Sequence, residues 1–151
     1  VIDGGKARTL GGITFMMFGS GPPVAGQNAH VQLWNPAGSG KNLVLDALTY
    51  SSGANGGILL KLYNAALTTL AGPGQSKKGG GAVAVGVVNV QANAGTLGGA
   101  TILGVNLSAN TPITYRPYEP IVLPPGWGLN MIQTVLATDI SGSFEWYEEP
   151  V

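Results

Sequence analysis

The sequence predicts an all-β fold: a single-domain, jelly-roll-like β-sandwich of about eight strands with an extended N-terminal arm. Three observations predict it. Apolar side chains recur with a period of two, as in Val31 and Leu33 or Leu43, Leu45 and Ala47, the pattern of a sheet with one buried face. Clusters of Gly, Pro, Asn and Ser interrupt these runs at the spacing usual in sandwiches and barrels. Finally, 25 glycines and 10 prolines penalise helix interiors in a chain of 151 residues, a length that suits one compact core.

Residues 1–29 form the predicted arm and residues 30–151 the sandwich. Val1 to Gln27 holds seven glycines and Pro22-Pro23 around one apolar run, Ile13 to Phe18. Proline fixes φ and glycine frees the backbone, so the segment reads as a tether with one strand, able to lie along a partner surface. The alternative is an ordinary first strand and loop. Val1 is not methionine, which points to a processed terminus or to numbering that starts inside a longer product.

His30 to Tyr50 is the organising stretch. Val31 and Leu33 alternate with Gln32, and Leu43, Leu45 and Ala47 alternate with Val44 and Asp46, on either side of a polar turn from Asn35 to Lys41. Asn-Pro and Gly-Ser-Gly supply the restricted and positive φ values that reverse a chain, so the stretch reads as a hairpin. Ser51 to Gly57 is a second turn. Ile58, Leu60 and Leu62 then share one face of a strand, with Leu59, Lys61 and Tyr63 on a partly dry opposite face. Asn64 to Leu70 is the place for a short helical turn, and Gly72 to Gly81 reads as an exposed loop with Lys77-Lys78 at a solvated tip.

From Ala82 to Pro112 small residues dominate, with Val83, Val85 and Val87 alternating and Ile102-Leu103 further on. Left as a bare edge, a long neutral strand here would aggregate, so a covered position is expected. Ile121 and Leu123 precede a sharp corner at Pro124-Pro125-Gly126. Trp127, Leu129, Met131, Gln133 and Val135 share a strand face, Thr138 to Gly142 turns the chain, and Phe144 to Tyr147 closes the sheet.

Charge narrows the functional classes. Seven basic residues balance seven acidic ones, so no long-range field draws the chain to nucleic acid or to anionic lipid. No apolar run approaches a membrane span, and the opening lacks the layout of a secretory signal, which predicts a soluble chain. Only 9% of residues are charged against 44% hydrophobic, so part of the apolar surface is expected to be covered by copies of the same chain. Absent cysteine removes disulfides and thiolate metal sites.

Catalytic patterns fail one by one. Gly38-Ser39-Gly40-Lys41-Asn42 looks like a phosphate-binding loop, but Asn35 stands where the motif needs glycine. Asn42 stands where it needs a hydroxyl for magnesium, and a strand pattern follows where it needs a helix. His30 is the single histidine, without metal-ligand spacing, and a structural or surface role is expected. Ser39, Ser51, Ser52 and Ser76 sit in Gly-rich turns without a nucleophile-elbow pattern. Among the acids Asp46, Glu119, Asp139, Glu145, Glu148 and Glu149, none comes with a second acid held at strand spacing, and Glu148-Glu149 reads as a solvating tail. Trp127 and Trp146 read as core. The expectation is a non-enzyme with no catalytic, cofactor-binding or metal-binding residues.

The segments HVQLWNPAGSGKNLVLDALTYSS (from His30), EPIVLPPGWGLNM (from Glu119) and the closing SFEWYEEP together resemble small structural proteins of tailed bacteriophage particles. The likeness covers most of His30 to Pro150 and leaves the arm and the Gly-rich centre unmatched. It implies an all-β virion module, commonly a homotrimer, that decorates or cements the capsid surface by binding the major capsid protein without cofactor, nucleic acid or membrane. Under that reading the arm contacts the shell through Lys6, Arg8, Ile13, Phe15 and Phe18. The alternative is a tail or head-fibre adhesion module that binds host-surface glycans through Trp34 with Asn35, or Tyr118 with Glu119.

Overall fold

The computed structural model describes residues 4–151, and the expectation attached to Val1 lies outside them. Among the described residues one short helix, α1 (Gly4–Leu10), precedes twelve strands in two antiparallel sheets packed as a sandwich. The first sheet holds β1 (Thr14–Gly21), β3 (Lys41–Ser52), β6 (Gln75–Ser76), β9 (Ile113–Tyr115), β10 (Ile121–Leu123) and β12 (Ile140–Pro150). Its order is β10-β3-β12-β1-β6, with β9 also on β3. The second holds β2 (Asn28–Trp34), β4 (Gly56–Tyr63), β5 (Thr69–Pro73), β7 (Val87–Asn93), β8 (Thr101–Leu107) and β11 (Gly128–Gln133), in the order β5-β7-β2-β11-β4-β8. The count exceeds the eight or so strands expected in part because β6, of two residues, and β9, of three, are too short to show a period of two.

The core lies between the sheets. In β12 Ile140, Phe144 and Trp146 point inward while Ser141, Ser143 and Glu145 point out, the alternation that the pleat imposes. Trp146 meets Phe15 with ring centroids 6.2 Å apart, and Leu33, Leu43, Leu45, Leu60, Leu129 and Met131 fill the space around them. Each such aliphatic contributes about 1.5–3 kcal/mol by leaving water.

Several expectations need correction. The stretch around Asn35 is not a hairpin: β2 pairs with β7 and β11 in one sheet, β3 with β12, β10 and β9 in the other, and the turn arches between sheets. Alternation fixes which face is buried but not which strand is the neighbour. Gly38 and Gly40 do take the positive φ values, 76° and 69°, that the turn requires. The arm is likewise absorbed, because Thr14–Gly21 is a full strand held between β12 and β6.

The helical turn expected at 64–70 is missing because the Gln32 side chain takes its backbone groups. Its amide donates to Ala65 O at 2.8 Å, and its carbonyl accepts from Leu67 N at 2.9 Å. The helix falls instead on Gly4–Leu10, capped by Gly11 N to Ala7 O at 2.9 Å. The strand at Val83 begins only at Val87, since Ala84 N is drawn to Gly74 O and Val85 N to Glu148. Trp127 is 41% exposed and precedes β11, and Val135 follows it in the open, so the strand face is shorter than its pattern. Within one chain the neutral strand β8 is an edge.

Candidate functional site

The outer face of the first sheet is built by the outward phase of three adjacent strands. Register places Phe18 of β1 beside Ser143 of β12, which faces Thr49 of β3, which faces Thr114 of β9. The Thr49 and Thr114 hydroxyls are 2.9 Å apart. One row on, Ser20, Ser141 and Ser51 align; one row back, Met16, Glu145 and Ala47. Phe18 is 54% exposed and Met16 41%. Phe18 forms a wall between two shallow depressions. One, of about 180 Å³, is lined by Thr49, Ser51, Ser141 and Ser143. The other, of about 270 Å³, is lined by Met16, Met17 and Gln75.

Electrostatically the face is flat. Glu145, on the face between Met16 and Ala47, is tied to Lys77 by an ion pair, and Lys78 Nζ donates to Leu10 O at 3.2 Å, so the supposed solvated tip is fastened to the surface. His30 belongs to the other sheet, with both ring nitrogens engaged: Nδ1–H donates to Asn28 O and Nε2 accepts from Leu97 N, each at 2.9 Å. Apolar anchors among short hydroxyls make a face suited to contact with another surface.

The expected partner-contact residues separate. Phe18 alone presents a large apolar side chain to this face. Phe15, one pleat step out of phase with Met16, is buried against Trp146, and Ile13 is half-buried. Lys6 is exposed on α1, while the Arg8 guanidinium lies 4.5 Å from the centroid of the Tyr147 ring and packs the helix onto β12. Met16, Thr49, Ser141 and Ser143 were not foreseen; the alternation Met16, Phe18, Ser20 carried the signal once its phase was known.

The glycan set also divides. Asn35 is fully buried and spends its side chain on Lys41 O, Leu123 O and Ser39, so it offers nothing to a sugar. Trp34 is half-buried, whereas Tyr118 is 100% exposed and Glu119 is exposed beside it.

His30 serves the fold and gives it a pH dependence. Burial holds the imidazole below its ordinary value of 6.5, and the charge of Lys61 adds to this; hydrogen bonding with the backbone at Asn28 and Gln91 opposes it. As the pH falls below 6.5, the unfolded chain takes up a proton that the folded one refuses, so stability drops until the folded pKa is passed. Urea midpoints are therefore expected to fall between pH 7.5 and pH 5, and His30→Gln to flatten that slope. An identical slope in the variant would refute the assignment.

Comparison with protein-family models, with curated proteins and with solved structures yields no match to this chain.

Proposed function

We propose that the chain is a non-catalytic structural protein of a tailed-bacteriophage particle, a decoration or cement protein that binds the major capsid protein on the capsid surface and stabilises the shell. The observation that carries this reading is the charge-poor outer face of the first sheet, where Phe18 and Met16 stand clear of a floor of Ser and Thr and the Glu145 carboxylate is neutralised by Lys77. A chain that works alone clothes such a face in charge. Short side chains around two apolar anchors let another flat protein surface approach closely, and many copies on one particle multiply weak contacts. The motif resemblance and the alternation of successive strands β1 to β4 between the sheets support a jelly-roll winding for the module.

The test is titration of the purified chain onto undecorated shells, read by co-sedimentation. Burying Phe18 is worth about 2 kcal/mol, so Phe18→Asp is expected to weaken binding on the order of 30-fold or more with an unchanged urea midpoint. Wild-type binding by a Phe18→Asp, Met16→Ser double variant would overturn the reading. One observation favours a second reading, adhesion to host glycans: Tyr118 offers a fully exposed ring for stacking on a sugar beside the Glu119 carboxylate. Copies per particle separate the two, since a shell protein is present in hundreds and an adhesin in a handful.

A further inference from the structure

We propose that two copies of the chain join edge to edge through β8, antiparallel about a twofold axis at Gly104, so that the second sheet runs unbroken from one copy into the other. Three observations converge on this: an open edge, its lack of charge and its packing.

The strand β8 ends the second sheet and pairs with β4 alone, which leaves its other side of backbone N–H and C=O groups without a strand. Sheet proteins blunt such edges with Lys, Pro, very short strands or bulges. The other edges obey that rule. In the second sheet β5 is bulged between Leu70 and Gly72 and ends in Pro73. In the first, β6 has two residues, and β9 and β10 three each. Among the outermost strands β8 is the longest, at seven residues, and the other free run is Met17–Gly21 of β1, which the two-residue β6 leaves uncovered. The single bulge of β8, at Ile102, leaves Leu103 to Leu107 in regular register with Leu60 to Gly56.

Charge identifies the occupant. No Asp, Glu, Lys, Arg or His occurs between Lys78 and Arg116, so two β8 strands and their flanking loops approach without repulsion. The other free run, Met17–Gly21 of β1, begins beside the Lys77–Glu145 ion pair, whereas a second β8 brings no charge to the seam.

Packing gives the register. Leu103 and Val105 point toward the core yet remain half-exposed at the open end of the sandwich, while Gly104 between them faces outward. An antiparallel pair centred on Gly104 sets Leu103 of one copy opposite Val105 of the other, and each covers what its partner leaves open. Ile102, 43% exposed, then faces Asn106 of the second copy. A contact of this kind is isologous and closes at two copies, in contrast to the trimer that the motif resemblance implies.

Sedimentation velocity of the full chain over a wide dilution series tests the proposal, together with hydrogen exchange. The expected result is a mass about twice the 15.3 kDa of one chain, with β8 amides whose protection fades on dilution. Gly104→Lys sets two lysines against each other on the axis, and a Cβ there meets Leu59 Cδ2 at an ordinary 3.4 Å. It is expected to weaken association roughly tenfold or more. Asn106→Lys is expected to act in the same direction and covers the case in which Gly104→Lys fails to fold; Leu70→Lys, on the opposite edge, is expected to leave the dimer intact. A monomer at every concentration, a trimer with unprotected β8 amides, or undiminished dimers in both β8 lysine variants would each overturn the proposal. Shell binding by Phe18 stands or falls separately, because β8 lies in the other sheet.

Discussion

Replacing Asn35 with aspartate is expected to destabilise the fold by about 3–5 kcal/mol, a large part of the whole stability of a domain of this size. The side chain is fully buried where the arch between the sheets meets the corner at Pro124-Pro125-Gly126. Its amide donates to Lys41 O at 2.7 Å and Leu123 O at 2.8 Å, and its carbonyl accepts from Ser39 Oγ at 2.7 Å. Its backbone extends the knot: Asn35 N donates to Trp127 O at 3.0 Å, and Gly126 N donates to Asn35 O at 2.8 Å. Aspartate keeps the shape but turns an oxygen toward two carbonyl oxygens, replacing two attractive contacts with two repulsive ones. Asn35→Ala, which leaves those carbonyls unpaired beside a small cavity, is expected to cost about 2–4 kcal/mol, and Ser39→Ala about 1 kcal/mol. Urea midpoints give the ranking. An Asn35→Asp variant as stable as wild type would show that the arch does not depend on this hub.

The same residue marks where sequence reading stops. That 35–41 reverses the chain follows from Asn-Pro and the glycines. That the strands on either side belong to different sheets does not, because the bond that fixes the arch joins Asn35 to Leu123, 88 residues away. The binding face shows the limit in another form. The run Thr14 to Gly21 is legible as a strand, yet whether Phe15 or Phe18 faces out depends on which residue meets Trp146, and a pattern this apolar on both phases does not say. The outward set Thr49, Ser141 and Ser143 is a site only because β3, β12 and β1 are neighbours. At β8 composition says more: a neutral strand that should not be left bare is, within one chain, left bare, and that conflict makes its edge informative.

Glu148 is the second position where a large effect is expected. Two acids before a proline near the end of the sequence read as a solvating tail, and Glu149 is indeed exposed, but Glu148 points inward and is 6% exposed. Its carboxyl accepts from Gly86 N at 2.9 Å, from Trp146 Nε1 at 3.3 Å and from Val85 N at 3.3 Å. It therefore pins the segment before β7 across the end of the sandwich and holds the indole that packs on Phe15. The fit depends on two glycines, Gly86 in the segment and Gly74 that bonds to it: a Cβ at Gly86 would stand 2.8 Å from Leu43 Cδ1, and one at Gly74 would overlap the Trp146 ring. Glu148→Ala strands three donors, two on the backbone and one on the indole, and is expected to cost about 3–5 kcal/mol, with Trp146 fluorescence shifting to the red as water reaches the ring. Glu148→Gln keeps one acceptor and is expected to fall between alanine and wild type, whereas Glu149→Ala is expected to stay within about 0.5 kcal/mol of wild type. Equal, small effects at both glutamates would mean that the segment is held by its backbone bonds to Gly74 alone.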